Sequence, residues 1–208
     1  MYINDIRGLA IIPAKTDSTR LKKKNLRVIA GKTLVEHALD YATQSELIRH
    51  IVVTTESDEV REIVKNYKNV FIFDRDESYM GEREVADVYV NVAKEFKKDY
   101  ETLFLEVTHI VGIQPDHPDR QTNADELLQY VVDNKYDDLV TVDSSGTRNG
   151  AVRVTQKQFV ESGMMSRRVG SYLDNCTNIH SEEDLKNAEK NIMNRMYDYW
   201  WLFTMMVI

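Results

Sequence analysis

The stretch Ala10-Ile-Ile-Pro-Ala-Lys-Thr-Asp-Ser-Thr-Arg-Leu-Lys-Lys-Lys-Asn25 opens as an apolar strand, breaks at Pro13 and continues as a polar loop loaded with cations. Lys15, Arg20, Lys22, Lys23 and Lys24 crowd together, with Asp17 as the local counter-charge, and Arg27 and Lys32 follow. Like charges at this density repel one another unless solvent or an anion screens them. At the mouth of an α/β sheet the matching partner is a polyphosphate, which lysine meets as a point charge and arginine as a fork. The loop holds no glycine and so fits neither the Walker pattern nor the dinucleotide fingerprint; side chains must supply most of the charge. The plainer readings of the same residues are a solvated basic loop or a weak nucleic-acid patch.

Outward from this stretch, the apolar pattern alternates between strands and helices. Residues 9–14 form a buried strand by their unbroken apolar run. Residues 33–44 carry Leu34, Val35, Ala38, Leu39 and Ala42 at helical spacing, with Thr33 and Glu36 placed as a capping box. A short β-branched strand at 49–55 leads to a helix capped by Ser57, and a further strand lies at 70–73. Val85, Val88, Tyr89, Val92, Ala93 and Phe96 mark another helix. The apolar run 102–114 contains a central strand, 122–134 is a helix opened by Thr122, and 138–143 is a strand. Residues 144–150 have loop chemistry, 169–173 a strand pattern, and Ser181 with Asp184 a cap signature. This alternation predicts βαβ units, a mostly parallel sheet and an α/β fold in one domain over residues 1–208.

The 208 residues suit one domain, and 42% hydrophobic content suffices for a core. A net charge of −7 argues against general nucleic-acid affinity, so the basic loop is a local exception that favours a small anionic ligand. The single cysteine, Cys176, reads as a buried small residue and fits a reducing cytoplasm; the N-terminal residues show no signal-peptide pattern. No uninterrupted apolar run predicts a membrane span. The apolar, aromatic tail 196–208 is expected to pack on the domain or on a second copy.

Ile12-Pro-Ala-Lys-x-x-Ser-x-Arg-Leu-x-x-Lys-Asn25, followed by Leu26-Arg-Val-Ile-Ala-Gly-Lys32, resembles the first motif of the sugar-acid cytidylyltransferases. These are the acylneuraminate (CMP-sialic acid) synthetases and the related 3-deoxy-manno-octulosonate cytidylyltransferases. Their pattern is I-P-A-R-x-x-S-x-x-L-x-x-K-N; Lys15 replaces the arginine, keeping its charge but not its fork. The resemblance runs from about Ala10 to Ala188. It implies the nucleotide-diphospho-sugar transferase fold, a Rossmann-like three-layer α/β/α sandwich.

What the resemblance implies about the site follows residue by residue. Lys24, Lys15 and Arg20 become the catalytic cations, Lys24 on the α-phosphate and the others with Ser18 on the outer phosphates. Ala14 and Asn25 join them as nucleotide-binding residues. Val70-Phe-Ile-Phe-Asp-Arg75 resembles the strand whose arginine stands by the cytosine, and Gly81-Glu-Arg-Glu-Val-Ala-Asp87 resembles the octulosonate branch, which brings Arg75 and Gly81 into the nucleotide set. Ile113-Gln-Pro-Asp-His-Pro-Asp-Arg120 matches the second motif: Gln114, Asp116 and Arg120 become substrate-binding, and Asp116 a ligand for Mg2+. His117 reads as a solvated turn histidine. Arg148-Asn-Gly-Ala-Val152 resembles a stretch lining the sugar side, which adds Asn149. In Thr177-Asn-Ile-His-Ser-Glu-Glu-Asp-Leu185, Asn178 and His180 stand where the family has aspartates, so weaker or altered magnesium binding is expected.

The implied reaction is activation of a 2-keto sugar acid by CTP, giving the CMP-sugar and pyrophosphate. Two alternatives stay open: transfer of a nucleotide to a sugar 1-phosphate, and a catalytically weak nucleotide-binding homologue. A possible homodimer also stays open, since the excursion with which the family builds its dimer is nearly absent before Asn149.

Overall fold

The computed structural model describes residues 5–75, 84–162 and 166–206, with side chains up to Tyr197. The strands are β1 (Gly8–Pro13), β2 (Val28–Ile29), β3 (Lys32–Thr33), β4 (Ile48–Thr55), β5 (Val70–Asp74), β6 (His109–Ile113), β7 (Asp138–Val142), β8 (Arg148–Gln156) and β9 (Val169–Leu173). The helices are α1 (Leu34–Thr43), α2 (Asp58–Val64), α3 (Val85–Asp99), α4 (Glu101–Glu106), α5 (Ala124–Asp133), α6 (Lys157–Ser162) and α7 (Glu182–Met206). The principal sheet runs β5-β4-β1-β6-β8-β7-β9. The pairs β4–β5, β1–β4, β1–β6 and β7–β9 are parallel, and β8 runs antiparallel to both β6 and β7.

Strand alternation divides the core between the two faces. Ala10, Ile12, Val53, Val111 and Ile113 point to one face, where α1, α2 and α5 lay Leu39, Val60 and Leu128 on them. Leu9, Ile11, Val52 and Ile110 point to the other and meet Val88, Val92 and Phe96 of α3, Phe104 of α4 and Val160 of α6. This is the expected α/β/α sandwich. Gly112 in β6 is bare for a packing reason: a Cβ there would lie 2.3 Å from the ring of Tyr89.

Local chemistry explains most of the boundaries. Thr33 and Glu36 form the reciprocal capping box at the start of α1, and Ser57 caps α2. The β2–β3 hairpin turns through Ala30 and Gly31, both at positive φ (46° and 79°). Ser181 and Asp184 exchange hydrogen bonds at the start of α7. Three boundaries depart from expectation. Residues 101–106 form α4 ahead of the central strand. Asn123, not Thr122, accepts from Glu126 N and caps α5, while Thr122 Oγ1 donates to the buried Asp174. The loop after β7 closes at residues 143–147 because Asp143 Oδ1 accepts from Ser145 and Thr147, so Arg148 already belongs to β8. The tail 196–206 continues α7, and Met196 and Tyr197 are exposed.

His109 in β6 is 3% exposed. Burial lowers its imidazole from the ordinary 6.5 to about 4. A folded-state value below the unfolded one means the contribution is fully present above pH 6.5 and is lost as pH falls towards 4. Urea titrations at pH 7 and pH 4.5 should therefore show His109→Gln losing about 2 kcal/mol less stability over that interval than the parent protein.

Candidate active site

The sheet order reverses between β1 and β6, because β1 is followed by β4 on one side while β6 lies on the other. Open α/β sheets bind ligands in the crevice at such a point, beyond the carboxyl ends of the strands. The basic loop leaves β1 there, and Gln114, Pro115 and Asp116 leave β6 opposite it. Between them lies a cleft of about 280 Å³, closed at its sides by Arg75 beyond β5, Val85 at the start of α3 and His180 just before α7.

Lys24 and Asp116 face each other across this cleft. Lys24 Nζ donates to Asp116 Oδ2 at 2.6 Å and to the Ile179 carbonyl at 3.1 Å; each side chain of the ion pair is 16% exposed. His117 lies beneath, with Nδ1 3.0 Å from Asp116 Oδ1. The Asp116 backbone carbonyl accepts from Ile179 N. Burial works against ionisation of Asp116, but the hydrogen bond with His117 and the Lys24 ammonium outweigh it and hold the carboxyl well below the usual range.

The loop after β1 is fastened at its ends. Asn25 is buried and donates Nδ2 to Lys15 O at 2.8 Å. Thr16 donates both N and Oγ1 to Glu56 Oε1, and the Ala14 carbonyl accepts from Thr55 Oγ1. Its charges are balanced largely by acids distant in sequence: Lys23 by Glu59, Lys24 by Asp116 and Arg27 by Glu182, alongside Lys15 with Asp17 and Lys32 with Asp40. Among the described residues Arg20 and Lys22 have no carboxylate partner; Arg20 Nη1 instead lies 3.2 Å from His180 Nδ1. Burial, then Lys24 and Arg20, lower the imidazole of His180. Burial also lowers the Arg75 guanidinium, against the pull of Glu56 and Asp17.

Of the residues singled out from sequence, Lys15, Ser18, Arg20, Lys24, Asn25, Arg75, Gln114 and Asp116 line one cleft. Ala14 is buried at its edge, and Gly81 lies outside the described residues. Two residues stand elsewhere. Arg120 is 7% exposed, donates Nη2 to the Gln114 carbonyl and sits 5.1 Å over the Tyr41 ring, so it braces the turn after β6 from behind. It borders a separate cavity of about 780 Å³ between α1, α5 and α7. Asn149 bonds Thr141, Ala151 and the Asp174 carbonyl, a framework role that leaves its amide engaged. His117 is 1% exposed, not solvated. Sequence reasoning missed Glu56, whose only signal was its place at a strand end, and the Ile179 carbonyl, which no side chain announces. Cys176 is half-buried with its thiol pushed up to about 12 by burial and Asp174, as suits an inert residue.

The fit to a magnesium ion rests on the donor set. Among the described residues Asp116 is the one carboxylate lining the cleft, and no group of three metal-ligating side chains occurs. Magnesium keeps several waters and is commonly held by one or two carboxylates together with substrate phosphates. These residues fit an ion that arrives with a phosphate ligand, and do not form a cage of their own.

A doubly wound sheet with a cationic cleft at its switch point is the architecture of an α/β domain that takes its ligand at the carboxyl edge of the strands. The sequence profile of the cytidylyltransferase family matches residues 9–207, and the chain belongs to that family. It is 27% identical over 147 residues to the N-acylneuraminate cytidylyltransferase of Escherichia coli O18:K1:H7, covering 70% of this chain and 33% of that protein. It is 28% identical over 133 residues to the 3-deoxy-manno-octulosonate cytidylyltransferase of Rickettsia canadensis, covering 64% of this chain and 50% of that one. The matches thus span half or less of these curated relatives. In fold it is similar to a solved CMP:2-keto-3-deoxy-manno-octonic acid synthetase complexed with CTP, at a TM-score of 0.68 and 13% identity, over 91% of this chain and 99% of that one. Among the described residues no helix is long and apolar enough to cross a membrane.

Breaking the half-buried ion pair from one side strands the other charge. Asp116→Asn alone should lower stability by about 3 kcal/mol, whereas Lys24→Met with Asp116→Asn should recover most of it. Thermal melts of the three proteins check this. Calorimetric titration with CTP should show the double variant still binding at least tenfold more weakly than the parent.

Proposed function

We propose that this chain is a CTP-dependent nucleotidyltransferase that activates a 2-keto sugar acid. The anomeric hydroxyl oxygen of the acceptor bonds to the α-phosphorus of CTP. The bond from that phosphorus to the bridging oxygen of the β-phosphate breaks, pyrophosphate leaves with the electron pair, and the hydroxyl proton passes to solvent. The observation that carries this reading is the Lys24 ammonium held in the cleft by Asp116 and the Ile179 carbonyl, in a chain of the cytidylyltransferase family.

In phosphoryl-type transfer the protein contributes positioning and charge stabilisation. Lys24 lies deepest and takes the α-phosphate; Lys15, Ser18 and Arg20, nearer solvent, take the outer phosphates. Arg75, at the end of β5, donates to the cytosine carbonyl, and its half-buried guanidinium suits selection of a base by hydrogen bonding. Asn25 holds the loop through the Lys15 carbonyl and so shapes the nucleotide pocket from behind. Gln114 faces the acceptor side. Asp116 would hold magnesium, which when bound neutralises charge between the phosphates. His180 and Asn178 in place of acidic residues leave the ion with fewer protein ligands, so the reading includes a raised magnesium requirement. The sugar acids handled by the relatives, acylneuraminate and octulosonate, give the acceptor class.

The test is pyrophosphate release with each of the four nucleoside triphosphates, against 2-keto sugar acids and against sugar 1-phosphates, with magnesium or manganese. CTP with a 2-keto sugar acid should be the productive pair. Turnover confined to sugar 1-phosphates would move the chain to the rival acceptor class, and tight CTP binding without release under either metal would make it a binding protein.

A further inference from the structure

His117 is a buried polar residue that the proposed chemistry has not used. It lies between Pro115-Asp116 and Pro118 in the turn after β6, and its side chain is 1% exposed. Its Nδ1 is 3.0 Å from Asp116 Oδ1, while its Nε2 is buried and has no hydrogen-bond partner among the described residues. An ionised carboxylate only accepts hydrogen bonds, so Nδ1 carries the hydrogen and donates. Among the described residues the one hydrogen bond of this ring is the one through Nδ1.

That bond has a geometric consequence. A carboxylate in a turn can rotate about χ1 and χ2, and only one orientation sets Oδ2 against Lys24 at 2.6 Å. With Oδ1 engaged by His117 and Oδ2 by Lys24, both carboxylate oxygens of Asp116 are held from opposite sides. We propose that His117 is a positioning residue: its Nδ1–H fixes the Asp116 carboxylate, and through it the Lys24 ammonium, in the orientation that nucleotide transfer requires. The proposal rests on the reaction assigned above for its kinetic part, but its structural part concerns only the free chain.

Asparagine and glutamine separate the two nitrogens of the ring. The amide nitrogen of asparagine falls two bonds from Cβ, as Nδ1 does, whereas that of glutamine reaches the Nε2 position. In the full-length chain, His117→Asn should keep turnover within about threefold of the parent, while His117→Gln and His117→Leu should lower kcat about tenfold or more, the loss expected for one charge-assisted hydrogen bond, with a smaller change in the KM for CTP. All are assayed well below their melting temperatures. A second measurement needs no substrate. Trace labelling of lysines with acetic anhydride, read by peptide mass, should find Lys24 slow in the parent and in His117→Asn and at least threefold faster in His117→Gln and His117→Leu. Equal labelling of Lys24 in the Asn and Gln variants overturns the proposal, as does turnover that follows melting temperature rather than the placement of the donor. If the parent releases no pyrophosphate with any pair, the assigned reaction fails while the labelling still decides the role of His117.

Discussion

The ion pair between Lys24 and Asp116 is the contact on which this molecule's site depends. It joins the loop after β1 to the turn after β6, and the Ile179 carbonyl and amide tie the approach to α7 to the same point. Three segments far apart in sequence are thus closed around one ammonium group. Taking both charges out of water costs several kcal/mol, and the pair persists because each lone pair and proton that matters finds a partner. Such an arrangement adds little net stability compared with an apolar contact. Its value is that a cation is held ready, oriented and partly stripped of water, where an incoming anion can compete for it.

The same economy runs through the basic loop. Several of its charges are already balanced; Lys23, Arg27 and Lys24 are each met by an acid from α2, α7 or the turn after β6, while Arg20 and Lys22 meet no carboxylate among the described residues. Helix α7 acts as a clamp. Leu185 and Ala188 pack with Leu21, Ile29 and Leu34, Glu189 accepts from Ala30 N, and Glu182 forks onto Arg27. Behind the cleft, Asp119 accepts from Thr177 and Asn191, and Asp174 from Gln121 and Thr122. Buried and satisfied, these aspartates build the frame, and Asp116 alone among the three turns its carboxylate to the cleft.

Much of the fold was legible from local chemistry. Unbroken apolar and β-branched runs exposed β1 and β4, the 3.6-residue period exposed α1 and α3, and the Thr33–Glu36 and Ser57 caps set helix starts to within a residue. The misplacements occurred where tertiary bonds outranked local preference. Thr122 looks like a cap, but its hydroxyl is drawn to Asp174, 52 residues away, and Asn123 caps instead. Charge and motif spacing singled out Lys15, Arg20, Lys24 and Asp116, which the fold brings to one cleft. Arg120 and Asn149, singled out in the same way, stand outside the cleft, because one motif mixes residues that face it with residues that hold its frame, and spacing does not report which way a side chain turns.

By itself the sequence determined the layers of this protein: which residues alternate into strands, which wind into helices, and that a cation-rich turn follows the first strand. Those are consequences of short-range sterics and of the burial of apolar side chains, which neighbouring residues dictate. Only the tertiary structure decided which acid faces which cation. Asp116 lies 92 residues from Lys24, and the Ile179 carbonyl 155 residues from it. Their meeting depends on strand order, on the reversal between β1 and β6, and on the return of α7 across the loop. A charge has no preferred partner until folding removes the water between it and all the others, and it is the fold that chooses where the water goes.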